Sequence, residues 1–282
     1  MSARRNDSNE VLSLSEVQNI ELDIMQQLHL FCERENLVYC MAYGTLLGAA
    51  RHQGFIPWDN DIDIIMPRPD FQQLLRLIKE KEIAHNIDCL HYTNDYTYHY
   101  QVIRVCDKRT TVNPEYIREQ PSRMGVWVDI FPADGVPSSW KDRPFDQLRL
   151  LYYKWVQLAD IYAIPMRNIP NKTIKGYISN IIKNLVHFLS PGKNNIHEYK
   201  VDQFASVFSY KDYDHVADTI ERQKPNWLTH TDFDERILMK FEKYDFYAPK
   251  DWAGYLTRYY GNYMQLPPEE KRMTHDIHAQ WR

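Results

Sequence analysis

Pro57-Trp58-Asp59-Asn60-Asp61-Ile62-Asp63-Ile64-Ile65-Met66 sets acids at alternate positions and aliphatic residues between and after them. On an extended strand side chains alternate faces, so Asp61 and Asp63 share one face with Cα atoms about 7 Å apart. Ile62, Ile64 and Met66 anchor the run in a core. Two carboxylates on one face repel, and burial sharpens the repulsion. A divalent cation between them removes it. Asp59 either joins that face or belongs to the loop after Pro57.

A second strand with a lone acid follows downstream. Val126-Trp127-Val128-Asp129-Ile130-Phe131 is apolar apart from Asp129. A charge avoids full burial unless it is paired or metal-bound, so two such strands in one chain point to acids that converge. Each stretch alone also reads as a solvated turn or a cap. Upstream, Leu37 to Tyr43 is a short apolar run suited to a strand, and Thr45 to His52 reads as a short helix. Gly44-Thr45 lies between them. Glycine lets backbone approach a ligand closely, and a helix N-terminus offers free N–H groups to a phosphate. Neither GxGxxG nor GxxxxGK[ST] occurs, which removes the main support for dinucleotide-binding and P-loop readings.

Outward from this centre, Ser13-Leu14-Ser15-Glu16 has the form of a capping box. Val17, Ile20, Ile24, Leu28 and Phe31 then mark one face of a helix ending near Glu35. Asp70 reads as the cap of a helix running to about Lys81, and Val102 to Cys106 as another strand. From Asp142 the pattern turns helical. The expectation is an α/β protein: a tail over 1–10, then one domain over 11–282. Its mixed α/β catalytic core covers about 37–135, and a mainly helical part covers about 142–265. Within the latter, Lys172 to Lys193 carries Ile174, Tyr177, Ile178, Ile181, Ile182, Leu185, Val186 and Leu189 on one face, Lys175 and Lys183 on the other, and no acid. Most such periodic helices are core; a basic amphipathic helix also suits a membrane interface.

Bulk properties exclude several classes. The 282 residues carry 44% hydrophobic and 26% charged residues, an ordinary globular composition. The net charge of −4, without a basic run, argues against non-specific nucleic-acid binding. Cys32, Cys40, Cys89 and Cys106 form no zinc-type spacing and read as reduced thiols. The first residues lack an apolar signal region and no stretch has the length of a membrane span, so a cytoplasmic protein is expected, with peripheral attachment at the inner membrane face as the alternative.

At this point the chain resembles a known family. Tyr43 to Asp63, YGTLLGAARHQGFIPWDNDID, is similar to the signature of the LicD family of phosphocholine transferases. Trp127 to Gly135, WVDIFPADG, resembles its second motif, and Tyr259-Tyr260-Gly261-Asn262-Tyr263-Met264 with Pro267-Pro268 its C-terminal block. The resemblance runs from about residue 15 to 275. It implies a nucleotidyltransferase-like mixed sheet with flanking helices. It also implies transfer of phosphocholine from CDP-choline to a sugar hydroxyl of a bacterial surface glycan, of teichoic acid or lipopolysaccharide type, presented on lipid. Fukutin-type relatives move a polyol phosphate from a CDP donor instead. Asn60 and Asn262 stand where an Asp is common; alternation turns Asn60 away from Asp61 and Asp63.

Roles follow from the motif and its chemistry. Asp61, Asp63 and Asp129 are expected to hold Mg²⁺ or another divalent cation such as Mn²⁺, with Asp129 also the general base. Gly44, Thr45, Arg51, His52, Trp58 and Asp59 are expected at the substrate. Arg51 and His52 contact the donor phosphates, with Arg104 and Lys108 as further cations. A choline head group needs aromatic faces, for which Trp58 and Trp127 flank the acids; each reads equally as core, Trp127 the more so. The alternatives are a CDP-polyol phosphate transferase, a nucleotidyltransferase, or a non-catalytic glycan- or metal-binding protein on the same scaffold.

Overall fold

The computed structural model describes residues 11–98, 100–112, 121–136, 199, 202–203, 205–219, 227–272, 274 and 278–282. Helix α1 (Leu14–Glu35) starts on Ser13, whose hydroxyl accepts from the Glu16 amide while the Glu16 carboxylate accepts from the Ser13 amide, as the capping box requires. Val17, Ile20, Ile24, Leu28 and Phe31 are all buried along it, so the 3.6-residue period does select the core face.

Strand β1 (Cys40–Met41) is shorter than the apolar run suggests, because Tyr43 takes a left-handed φ of 44° and opens helix α2 (Tyr43–His52) directly. Strand β2 (Asp63–Pro67) leads into helix α3 (Arg68–Leu77). Pro67, not Asp70, occupies the N-cap of α3; Asp70 lies in the first turn, where its carboxylate accepts from the Val38 amide at 3.0 Å. Strands β3 (Ile87–Leu90), β4 (Ile103–Asp107), β5 (Thr110–Val112) and β6 (Trp127–Gly135) complete the front half.

The expected helical part over 142–265 is described only from residue 199 on, and its 172–193 segment lies outside the described residues. What is described there mixes strand with helix, the strands being β7 (His215–Asp218), β8 (Leu228–Thr229), β9 (Ile237–Phe241) and β10 (Tyr244–Ala248). Helices α4 (His230–Asp234) and α5 (Trp252–Tyr260) accompany them, and β11 (Ala279–Trp281) ends the chain. Ile237, Met239 and Phe241 turn inward while Leu238 and Lys240 are exposed. That is a period of two, the mark of a strand rather than a helix.

The main sheet has the order β1-β2-β6-β4-β3, with β7 added to β6 and β8 to β7. Only β2 and β6 run parallel within it; the other pairs are antiparallel. β6 is the spine. It has β2 on one side, and on the other β4 against its first half and β7 against its last residues. Its far end carries Asp134, fully buried, which takes two hydrogen bonds from Arg68 at 2.7 and 2.5 Å; Arg68 also reaches Asp202 at 2.6 Å. Burial works against the Arg68 charge, and Asp134 and Asp202 outweigh it, raising its pKa above the ordinary arginine value.

Candidate functional site

The sheet register assembles the site. Asp63 of β2 stands directly beside Asp129 of β6, and Asp129 beside Arg104 of β4. Adjacent strands lie about 4.8 Å apart, so three charged side chains line up across three strands on one face. Asp129 is anchored on both oxygens: Oδ1 accepts from Arg104 Nε at 2.9 Å and Oδ2 from Trp127 Nε1 at 2.9 Å. Arg104 is buried and stacks over the rings of Trp127, Tyr100 and Tyr98, with its guanidinium carbon 4.3, 4.8 and 5.8 Å from their centroids. It is therefore a structural partner of Asp129 rather than a solvated cation. Trp127 is core, 7% exposed.

Alternation holds through the acid stretch. Asn60, Ile62 and Ile64 are buried, whereas Asp59, Asp61 and Asp63 are half-buried. The backbone around Asp63 is pinned from α2: Thr45 Oγ1 accepts from the Asp63 amide at 2.8 Å, and the Ala42 amide donates to the Asp63 carbonyl at 3.0 Å. Thr45 is buried, so its hydroxyl fixes Asp63. Gly44 sits in the first turn of α2, where a Cβ would lie 2.8 Å from Asp59 Oδ2 and 4.0 Å from Asp61 Oδ1. Its missing side chain makes room for carboxylates, so the positive end of α2 faces Asp59 and Asp61. Gln18 of α1 donates to the Asp59 carbonyl at 2.7 Å and ties this loop down.

Glu21 of α1 was not marked by the sequence reading. It is 2% exposed, and its Oε2 has no hydrogen-bond partner among the described residues. Burial first, then the charges of Asp61, Asp59 and Asp129, hold its pKa well above the usual carboxylate value. As the side chains stand, no group of three His, Cys, Asp or Glu among the described residues closes around one ion. The donor chemistry nonetheless suits a hard divalent cation. Every donor is a carboxylate oxygen, and the charges of Asp61, Asp59 and Asp129 add to burial in raising the pKa of the neighbouring Glu21.

Arg51 and His52 lie at the opposite end of α2 from Gly44, about 10–12 Å along the axis at 1.5 Å per residue. Arg51 Nε donates to His52 Nε2 at 3.0 Å, and Nη1 to the Tyr263 carbonyl at 3.2 Å. Burial, then Arg51, lowers the His52 pKa, so its ring is neutral near pH 7. Trp58 has the Arg272 guanidinium 5.1 Å from its centroid. Lys108 is exposed and pairs with Glu82 at 3.6 Å.

A further acid joins the Asp63–Asp129 face. Asp218 of β7 stands opposite Ala133 of β6, in phase with Phe131 and Asp129 along the strand. Asp218 is buried and accepts from the Tyr43 hydroxyl at 2.9 Å. The signal that marks Asp129, a lone acid within an apolar strand, is weak at Asp218, where only Val216-Ala217 precede it and Thr219 follows. Tyr43 packs edge-on against Phe131 at 5.4 Å and against Tyr259 at 5.5 Å, and Tyr259 against Tyr260 at 4.7 Å. Desolvation, then Tyr259, Asp63, Asp59 and Asp61, raises the Tyr260 pKa above the ordinary tyrosine value.

Residues 36–170 match the family described as LicD/FKTN/FKRP, nucleotidyltransferase domain. Over 272 residues, 94% of this chain and 97% of the relative, the sequence is 27% identical to the lipopolysaccharide cholinephosphotransferase LicD of Haemophilus influenzae. It is 25% identical over 189 residues to the uncharacterized protein RP689 of Rickettsia prowazekii, covering 60% of this chain and 65% of that protein. The uncharacterized protein RT0683 of Rickettsia typhi is 26% identical over the same length, 60% of this chain and 55% of its own. No helix among the described residues is long and apolar enough to cross a membrane.

Proposed function

We propose that this chain, whose residues 36–170 match the LicD/FKTN/FKRP nucleotidyltransferase domain, is a transferase that moves phosphocholine from CDP-choline to a sugar hydroxyl of a bacterial surface glycan. The observation that carries this reading is the row Asp63–Asp129–Arg104 across three strands, with Asp59 and Asp61 at the first turn of α2. The similarity to a lipopolysaccharide cholinephosphotransferase along nearly both full lengths supplies the group and the acceptor class. Teichoic acid is the other acceptor of the same chemistry.

Asp61, Asp63 and Asp129 would hold a divalent cation, Mg²⁺ or Mn²⁺, which would supply charge neutralisation for the donor's diphosphate. The chain's own groups do the rest. Arg104 and Trp127 fix the Asp129 carboxylate in one orientation. Asp129 takes the proton of the incoming sugar hydroxyl as that oxygen bonds to the phosphorus bearing choline. The bond from that phosphorus to the CMP oxygen breaks, and CMP departs. Such transfer depends mainly on positioning and charge neutralisation.

The test incubates the protein with Mg²⁺, CDP-choline and de-cholinated lipopolysaccharide, and follows CMP release with mass analysis of the glycan. Release of CMP together with a phosphocholine mass on the glycan is the expected result. Turnover only with a CDP-polyol, pyrophosphate release from a nucleoside triphosphate, or no turnover with any donor overturns it, each in favour of a different alternative.

A further inference from the structure

Away from the acids, the edge of the main sheet carries a cavity of about 790 Å³, within the size range of small-molecule sites. It wraps around β3, the strand beyond β4. Asp88 of β3 pairs with Cys106, and Cys106 with Trp127, two residues before Asp129. Paired residues share a face, and faces alternate along each strand, so Asp88 stands on the face that carries Asp129. Two strand spacings and two residues of rise put their Cα atoms about 12 Å apart. The cavity wall also leads to the acid row. Asp95 and Tyr96 line the cavity, and Tyr98 and Tyr100 of the same segment stack on Arg104.

We propose that this cavity is a subsite for the acceptor glycan, holding uncharged sugar units next to the one whose hydroxyl reacts at Asp129. The inference rests on the phosphocholine reading and gives its acceptor a place on the protein.

Charge is the first argument. Four basic and four acidic side chains line the cavity, and they neutralise one another. Lys108 meets Glu82 at 3.6 Å, and Arg123 meets Asp88 at 2.7 Å and Asp95 at 3.4 Å. A phosphate would have to compete with these carboxylates, whereas an uncharged polyol would not. Hydrogen bonding is the second. Asp88 accepts from the Cys89 amide on one oxygen and from Arg123 on the other. Each carboxylate oxygen has a further lone pair, and a guanidinium has five N–H groups. The Asp88–Arg123 pair therefore sets acceptors and donors side by side, and sugar hydroxyls use both. The third argument is Tyr96, whose side chain is 74% exposed at the cavity. A ring with an apolar body and a polar tip, standing in water beside a polar cavity, suits the C–H face of a sugar. A peptide strand is a poorer occupant, because backbone groups of β3 are capped from within the chain. The Ile87 amide donates to the Ala84 carbonyl at 3.1 Å, the Cys89 amide to Asp88 at 2.9 Å, and Asn94 donates to the Cys89 carbonyl at 2.9 Å. Such capping blunts an edge against strand addition.

The test measures binding of the de-cholinated, lipid-free oligosaccharide of lipopolysaccharide by calorimetry, and the KM for that glycan beside the KM for CDP-choline. Tyr96→Ala, at an exposed position that does not endanger folding, should weaken oligosaccharide binding and raise the glycan KM by about tenfold, with the CDP-choline KM within about twofold of wild type. Arg123→Lys keeps the charge but loses the planar fork, and should raise the glycan KM in the same direction. Oligosaccharide binding that inorganic phosphate abolishes in metal-free buffer makes the cavity an anion site and overturns the proposal. Variants that bind and use the glycan as the wild type does overturn the subsite and leave the function standing. A wild-type protein that releases no CMP from CDP-choline overturns the function, and the acceptor role of the cavity with it.

Discussion

At the residue scale, the acids divide into those with fixed protein partners and those at the open end of α2. Asp129 has both oxygens occupied by Arg104 and Trp127. Asp63 is located by its backbone, through Thr45 and Ala42. Asp59 and Asp61 crowd the first turn beside Gly44. Asp61→Asn and Asp63→Asn are therefore expected to reduce kcat by about 10²–10³-fold or more, comparable to removing a charge-stabilising group from a transition state. The melting temperature without metal should stay level or rise, because each change removes one like charge from the cluster. Single-turnover rates beside thermal melts check this, and near wild-type rates in both variants would remove these acids from the chemistry. Glu21 belongs to the same balance, and its position within a helix heptad gave no hint of it. The sequence offers only an acid on the edge of an apolar face, which elsewhere is simply a solvated residue.

At the element scale, what was legible followed from short-range rules. The capping box and the spacing of Val17, Ile20, Ile24, Leu28 and Phe31 locate α1 to within a residue. Alternation assigns Asp61 and Asp63 to one face and Asn60 to the other, as observed. The resemblance in the two acid motifs carried the fold class. What was hidden depends on pairing between distant segments. β7 is four residues with a polar start, and its place is set by β6. The hairpin β9–β10 alternates weakly, with Tyr244, Tyr247 and Ile237 only half-buried. That hairpin supports the loop after α2: the Glu242 amide donates to the Gln53 carbonyl at 2.7 Å, and its carboxylate accepts from the Phe55 amide at 3.1 Å. The close return of this loop onto α2 explains Gly48, where a Cβ would fall 2.4 Å from the Gly54 carbonyl oxygen. Backbone oxygen cannot swing aside as a side chain can. Gly48→Ala is expected to cost about 1–3 kcal/mol despite alanine's better helix propensity, measured by urea denaturation. A stabilised variant would mean that α2 and the loop part without strain.

At the scale of the whole molecule, the same sheet serves two chemistries on its two faces, an acid row on one and the Arg68–Asp134–Asp202 network on the other. Next to that network His91 is fully buried against Phe71 and Tyr92, and burial lowers its pKa to about 4. Its folded pKa lies below the unfolded value near 6.5, so the unfolded chain binds the proton first. The stabilisation is complete above about pH 6.5 and is lost as pH falls towards 4, a change of about 3 kcal/mol. Denaturation free energies at pH 7 and pH 4.5 should differ more in the wild type than in His91→Phe. Equal differences would show that His91 titrates normally. The seam between β6 and β7 has a consequence of another kind. β7 returns to β6 only after roughly eighty intervening residues, and closing so long a loop is slow compared with forming a hairpin. During synthesis, β6 leaves the ribosome well before its partner exists, with the edge at Ala133 to Gly135 open to pairing with any other chain. Asp218 arrives on that late strand, so a nascent chain can hold Asp63 beside Asp129 before the acid that accepts from the Tyr43 hydroxyl is in place.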